Sequence, residues 1–319
     1  MRQRFEHALI KFSTGKEQEF MATSNAPLRS LLFAPGNHAR RVEKALTLAA
    51  DAVILDLEDA VAASEKPSAR EAVLAAVAAA GKPGPLIYIR INASDTIWHE
   101  DDLAAVVNPG LEGVVLPKAE TPDGLLAVDA RMTELEAAAG LAPGTLDLLP
   151  IIETGLGMAN VRAMAAADTR VQRLSFGAAD YAADMGMRWT SDEVEMTPAR
   201  AEVALASRAG NLEAPIDTVW TRLKDAEGLV RSAARVRDLG FQGKLCIHPD
   251  QIAPVNEAFT PTTDEIAFAE KVVEAFNEAE AAGSASIAVD GQFVDYPIVD
   301  KARRTLAFMD RLRTAKDAE

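Results

Sequence analysis

The sequence predicts an α/β fold, a closed (β/α)8 barrel followed by a C-terminal helical extension, on three observations. Eight short apolar runs alternate with Ala/Glu/Arg-rich segments of helical spacing over roughly 220 residues, which is the pattern of a parallel barrel. Hydrophobic residues make up 49% of the chain, mostly Ala, Val, Leu and Ile, and only 5% of residues are aromatic, a mixture suited to many Ala-rich helices around a sheet. The first apolar run ends in Ala34-Pro-Gly-Asn37, and this lacks the glycine-rich phosphate turn of a doubly wound dinucleotide fold.

The predicted strands are Ser30–Ala34, Ala52–Leu57, Leu86–Ile91, Gly113–Pro117, Leu146–Ile152, Arg173–Gly177, Pro215–Trp220 and Lys244–Ile247. Each is a short apolar run, too brief for a helix. Between them, Ala39–Ala49, Glu65–Ala80, Asp123–Ala139, Ala159–Ala167, Glu195–Ala209 and Glu227–Leu239 carry apolar residues at helical spacing. After the eighth strand, Thr263–Ala282 reads as a long amphipathic helix. Ser286–Asp290 and Gln292–Asp295 flank a turn at Gly291, and Ile298–Arg313 reads as a final helix. Residues 1–28 are expected to be a poorly ordered leader, residues 29–260 the barrel, and residues 261–319 the extension and lid. Within the leader, Met21 followed by Ala-Thr-Ser-Asn looks like a second start.

A formal charge of −15 and a pI near 4.8 argue against a nucleic-acid partner, since phosphate backbones need a basic surface. A lone cysteine, Cys246, rules out an intrachain disulfide, fits a reducing compartment and reads as core. No apolar run reaches the roughly 18 residues of a membrane span, and no signal peptide is evident in the first twenty residues. The expected setting is cytoplasmic, without membrane partners.

In a barrel, chemistry gathers at the carboxyl ends of the strands. There the sequence places Asp56, Glu58 and Asp59, then Arg90 and Asn92, then Lys118, Glu153, Asp180, Asp217 and His248. So many charges on one circle are costly to bury without partners or a metal. Glu153 and Asp180, on adjacent strands, suit a hard divalent cation such as magnesium, which takes one or two protein carboxylates and keeps water and substrate oxygens. With four His in the chain and no His/Cys cluster, zinc is a poor fit. Arg90 at the same mouth is suited to stabilise an enolate or a carboxylate. No Gly-x-Ser-x-Gly nucleophile elbow is present.

Seven motifs stand in order along the chain: Arg29-Ser-Leu-Leu-Phe-Ala-Pro-Gly36, Ile54-Leu-Asp-Leu-Glu-Asp-Ala-Val61, Ile89-Arg-Ile-Asn92, Leu116-Pro-Lys118, Ile151-Ile-Glu-Thr154, Phe176-Gly-Ala-Ala-Asp-Tyr181 and Ile247-His-Pro-Asp-Gln251. Together they resemble the citrate lyase β-subunit and malyl-CoA lyase (HpcH/HpaI aldolase-citrate lyase) family, over roughly residues 29–312. The resemblance implies a barrel of the phosphoenolpyruvate/pyruvate-binding type, with Glu153 and Asp180 as magnesium ligands and manganese as the alternative ion. Arg90 would stabilise the enolate. Glu58 and Asp59 would hold metal-bound water and orient Arg90. Phe33, Lys44 and the loop Ile247-His248-Pro249 would lie near coenzyme A, which is part of the substrate. Asp295, in the segment Asp290–Pro297, would act as acid/base from a lid over the neighbouring subunit of a homotrimer or hexamer. Two departures from malyl-CoA lyases stand out: Asn37-His38 where a basic residue is usual, and a short loop, Tyr181–Glu195, after Asp180.

The implied activity is magnesium-dependent carbon–carbon cleavage, or formation, of a 3-hydroxyacyl thioester such as citryl- or malyl-CoA, giving a 2-oxo acid and an acyl thioester. The alternatives are an acyl-CoA thioesterase, an aldolase on free hydroxy-oxo acids, and a non-catalytic subunit that works beside a partner.

Overall fold

The computed structural model describes residues 27–81 and 84–317. Among these, eight parallel strands close a barrel in chain order: β1 (Ser30–Pro35), β2 (Ala52–Asp56), β3 (Leu86–Arg90), β4 (Gly113–Leu116), β5 (Asp147–Ile152), β6 (Ser175–Phe176), β7 (Ile216–Asp217) and β8 (Gly243–Cys246). β8 pairs back onto β1, with Ser30 opposite Lys244. The connecting helices are α1 (Ala39–Ala45), α2 (Lys66–Ala79), α3 (His99–Val106), α4 (Pro122–Ala138), α5 (Gly155–Ala165), α6 (Ala178–Asp184), α7 (Thr197–Ala209), α8 (Ala226–Asp238) and α9 (Ile252–Phe259).

Side chains alternate across each strand, so two apolar layers form. Leu31, Ile54, Tyr88, Val115, Leu149, Ile151, Ile216 and Leu245 cluster together with no helix residue among them, which marks the barrel interior. Their neighbours Leu32, Val53, Leu55, Ile89, Val114, Leu148, Phe176 and Cys246 join a larger cluster with residues of the helices. Cys246 is core as expected, and burial pushes its thiol up to about 12. Residues 1–26 of the expected leader lie outside the described residues. Leu28 is fully buried in the inner cluster, so the barrel takes up the chain before the expected boundary at 28.

The sixth and seventh strands are two residues each, shorter than predicted. Gly177 follows β6 at once and α6 starts at Ala178, which ends the run. The sequence reading named no helix at α3, α6 or α9. These are eight, seven and eight residues long, although α1, which the spacing did indicate, is no longer than they are.

Asp217 departs from its expected place at the mouth. It is next to Ile216, which points inward, so its own side chain points out of the barrel. There Arg200 of α7 meets it with Nε–Oδ1 at 2.8 Å and Nη2–Oδ2 at 3.0 Å, and Lys244 forms an ion pair with Oδ2. Glu193 pairs with the same Arg200 at 3.0 Å and accepts from Ser232 Oγ at 2.6 Å. Burial would raise the Asp217 carboxyl, but Lys244 and Arg200 hold it below the usual range. This cluster locks α7, β7 and β8 together and pins the loop that follows α6.

Beyond the barrel, α10 (Thr263–Ala281), β9 (Ile287–Val289), β10 (Gln292–Val294) and α11 (Tyr296–Asp317) form an arm. Thr262 and Glu265 close a capping box at the start of α10. Asp290 and Gly291 both have positive φ, 49° and 78°, the geometry of a tight two-residue hairpin turn. The turn expected at Gly291 is therefore present. The arm has its own apolar cluster, including Val272, Phe276, Val289, Val294 and Val299. Near the end of α11, Arg311 pairs with Glu213 of the α7–β7 connection at 2.9 Å. No described helix is long and apolar enough to cross a membrane.

Replacing Asp217 by Ala leaves Lys244 buried without its counter-charge and Arg200 with Glu193 alone. The expected loss is about 3–5 kcal/mol of stability, the usual result of removing one partner of a buried ion pair. Chemical denaturation checks it; an unchanged midpoint would mean that the cluster does not hold the fold.

Candidate active site at the barrel mouth

Arg90 is the centre of the mouth. It ends β3 in the inward phase, after Leu86 and Tyr88, and the strand register sets it opposite Asp56, the last residue of β2. The two meet side by side, with Nε–Oδ1 and Nη2–Oδ2 both at 2.7 Å. Its remaining nitrogen, Nη1, stands 2.9 Å from Glu58 Oε2, and the Phe33 ring centroid lies 4.8 Å from the guanidinium carbon. Burial works against the charge, yet Asp56 and Glu58 hold Arg90 more firmly protonated than usual. Burial likewise disfavours ionised Asp56, but Arg90 holds its carboxyl below the usual range, helped by the backbone N–H groups of Glu58 and Ala60. The Glu58 carboxyl is raised by burial despite Arg90 and Lys118.

Glu58 leads to the next strand pair. Its Oε1 accepts from Lys118 Nζ at 2.6 Å. Lys118 follows β4 with φ at 49°, a left-handed conformation uncommon outside glycine, and its own N–H donates to Glu153 Oε1 at 2.9 Å. Glu153 follows β5 in the inward phase of Leu149 and Ile151 and is buried. Next to it, Thr154 caps α5 by accepting from Gly157 N at 3.0 Å. Asp180, half-buried in the first turn of α6, faces Glu153 closely enough for its charge to act there. Burial first, and Asp180 second, push the Glu153 carboxyl up to about 8.

Glu153, raised by burial and by the nearby charge of Asp180, forms with it a donor set that a divalent cation relieves. They leave other coordination positions to water and ligand oxygens, which is how hard cations such as magnesium are commonly held. Gly177 is shaped to this arrangement. A Cβ there would come within 2.5 Å of Glu153 Oε2 and 2.6 Å of Glu153 Cβ, so a bare backbone is needed for Glu153 to lie where it does.

The floor beneath Glu58 is built from buried polar groups. Lys66 Nζ donates to the carbonyls of Leu57 and Glu58, both at 2.9 Å, and to Asn92 Oδ1 at 2.6 Å. Asp102 in turn accepts from the Asn92 backbone at 3.0 Å and from its side chain at 2.5 Å. A cavity of about 200 Å³ opens beside this floor, lined by Ser94, Asp95, Lys118 and Thr121 among others.

The structure therefore brings together Arg90, Glu58, Glu153, Asp180 and Phe33 from the expected set. Asp59 is different: it is exposed, out of phase with Ile54 and Asp56, and acts on Glu58 and Lys118 only through its charge. The carboxylate that grips Arg90 beside Glu58 is that of Asp56. Lys44 is exposed in the last turn of α1. Ile247 is exposed, and His248 and Pro249 are half-buried. Gln251 Oε1 accepts from the backbones of Ile247 and His248 at 2.8 and 3.2 Å, which fixes that loop. Asp295 starts α11, its carbonyl accepting from Ile298 and Val299 at 3.1 and 3.0 Å, with its side chain half-buried on the arm. The sequence reading noted Asp56 and Lys118 at strand ends but gave them no role. Counting the inward phase, 52, 54, 56 and 58, would have favoured Asp56 over Asp59.

Comparison with known proteins places this site in a family. A profile described as HpcH/HpaI aldolase/citrate lyase matches residues 29–249. The chain is similar to the citrate lyase subunit beta of Leuconostoc mesenteroides subsp. cremoris, 37% identical over 278 residues, 87% of this chain and 92% of that one. It is 38% identical to a (3S)-malyl-CoA thioesterase of Cereibacter sphaeroides over 287 residues, 90% of this chain and 96% of the other. Among solved structures it resembles CitE of Mycobacterium tuberculosis in complex with magnesium, acetoacetate and coenzyme A. That match has a TM-score of 0.69 and 30% identity, and covers 91% of this chain and 99% of that one.

Two outcomes are expected of the mouth itself. Gly177→Ala should displace Glu153 and weaken divalent-cation binding at least tenfold in calorimetry, with little change in far-UV circular dichroism; unchanged affinity would separate Gly177 from the site. Because the raised carboxyl of Glu153 must lose its proton to bind a cation, affinity should fall as pH drops below about 8. Binding at pH 7 should release close to one proton to the buffer, detectable as a dependence of the calorimetric heat on buffer ionisation; no such dependence would contradict the assignment.

Proposed function

Because the chain belongs to the HpcH/HpaI aldolase/citrate lyase family, we propose that it is a magnesium-dependent carbon–carbon lyase of 3-hydroxyacyl thioesters. The substrate would be citryl-, malyl- or a related acyl-CoA, and the products a 2-oxo acid and an acyl thioester. The observation that carries this reading is Arg90, fixed by Asp56 and Glu58 in the same mouth as the Glu153–Asp180 pair. A fixed cation beside a dicarboxylate site suits a reaction in which negative charge develops on one carbonyl oxygen while another is chelated.

Glu153 and Asp180 would hold the magnesium ion. When bound, the ion supplies a Lewis acid for the 2-oxo acid end of the substrate. A base takes the 3-hydroxyl proton, the carbonyl of the 2-oxo acid forms as the C2–C3 bond breaks, and Arg90 donates to the thioester oxygen on which the enolate charge grows. Asp56 and Glu58 keep the guanidinium aimed, so that little reorganisation accompanies the change. Phe33, Lys44 and the Ile247–Pro249 loop line the approach of coenzyme A. Asp295 protonates the enolate, or takes the proton in the condensing direction, from the arm of a neighbouring subunit in a homotrimer or hexamer.

A thioesterase is the second reading, favoured by the relative named (3S)-malyl-CoA thioesterase. A screen of acyl-CoA and 2-oxo acid pairs with magnesium, followed by mass spectrometry, separates the two. A lyase releases 2-oxo acid with an acyl thioester; release of free coenzyme A without 2-oxo acid would support the thioesterase instead.

Glu153→Ala or Asp180→Ala should abolish magnesium-dependent turnover with the fold intact, and full activity of either in EDTA would contradict the metal assignment. Arg90→Met should lower kcat by about 10²–10³, the usual cost of losing one donor to a developing oxyanion. Asp295→Ala should stop proton exchange at the acyl carbon, followed by NMR in deuterated water; exchange at the normal rate would remove the arm from the chemistry.

A further inference from the structure

We infer that Lys118 is a positioning residue that couples the two halves of the mouth, its backbone holding the cation ligand Glu153 and its ammonium holding Glu58 against Arg90. This rests on the reading of Glu153 and Asp180 as a cation pair and goes beyond it. The sequence motif Leu116-Pro-Lys118 puts a residue of ordinary type just past β4, where the chain takes φ of 49°. A side chain in that region costs of order 1 kcal/mol or more, so something must hold it there. The backbone N–H makes a 2.9 Å bond to Glu153 Oε1, and Nζ makes a 2.6 Å bond to Glu58 Oε1.

The two bonds have different consequences. The N–H bond occupies one side of the Glu153 carboxylate and aims the rest of it toward Asp180. The ammonium bond occupies Glu58 Oε1, which leaves Oε2 for Arg90 at 2.9 Å. Without the ammonium, Glu58 is free to turn from Arg90, and one of the two carboxylates on the guanidinium is lost. The Lys118 side chain is 36% exposed and lines the neighbouring cavity, so a change there does not open the core. Lys66 and Asn92 hold the backbone around Glu58 but do not reach its carboxylate, so neither replaces Lys118.

The sign of each effect separates positioning from general structural support. Lys118→Met keeps the backbone N–H and most of the apolar stem, and removes the ammonium, with its charge and its bond to Glu58 Oε1. Loss of a nearby positive charge favours cation binding. Magnesium should therefore bind Lys118→Met as tightly as the wild type or up to several-fold tighter. Acetyl-CoA, used as an acyl thioester probe, should bind the magnesium-loaded variant at least tenfold more weakly, because the Arg90 that meets its thioester oxygen is no longer held. Lys118→Arg should restore most of the acetyl-CoA affinity.

Calorimetric titration of magnesium, then of acetyl-CoA, into the full-length wild type, Lys118→Met, Lys118→Arg and Glu153→Gln gives the test. Weaker binding of both ligands by Lys118→Met, or unchanged acetyl-CoA binding, overturns the role given to Lys118. Wild-type magnesium affinity in Glu153→Gln overturns the cation-pair reading instead, and a wild-type protein that binds no magnesium overturns both.

Discussion

An arginine buried at the end of a barrel strand has to be neutralised where it stands, and the neutralising groups decide what the mouth becomes. Arg90 is reached by Asp56 across one strand pairing and by Glu58 two residues further in the same inward phase. Glu58 then needs a second partner, which is Lys118 from the strand beyond β3, and Lys118 in turn brings the next carboxylate, Glu153, under its backbone N–H. Ordered this way, a chain of ionic and hydrogen-bonded contacts runs from β2 through β5. Each link satisfies a buried group that would otherwise be costly. The exception is Glu153, whose carboxyl is raised by burial and by the nearby negative charge of Asp180, and that is where the proposed cation would sit.

Charge is treated differently on the outside of the sheet. Arg200, Asp217, Lys244 and Glu193 form a cluster that is neutralised within itself and buried between barrel and helices. The mouth cluster is partly open, with Lys118 and Asp180 reaching solvent, whereas this one is closed. The same residue types thus serve binding on one side of the sheet and cohesion on the other, and strand phase decides which.

That phase also explains how much could be read from the sequence. The barrel was legible because eight apolar runs recur with helices between them, and the nearness of Glu153 and Asp180 because they follow two adjacent runs. Asp56 and Asp59 were harder to rank, since both are acidic and neighbours of Glu58; only the two-residue alternation sets Asp56 inward. Asp217 was misplaced for the same reason, one residue out of phase with Ile216. Helices α3, α6 and α9 were not read, each spanning about two turns and so offering few apolar positions to set a period. The left-handed turn at Lys118 left no trace at all, because lysine gives no hint of a positive φ. Its signature lies in a tertiary contact, the bond to Glu153.

The arm that follows the barrel has its own apolar cluster, separate from those inside and around the sheet. A segment whose core is not shared with its neighbour forms a cooperative unit of its own, with an opening free energy that need not equal that of the whole molecule. Amide hydrogens of α10 and α11 and those of the strands would then exchange on separate timescales. The ion pair of Arg311 with Glu213 contributes to the balance between the two units.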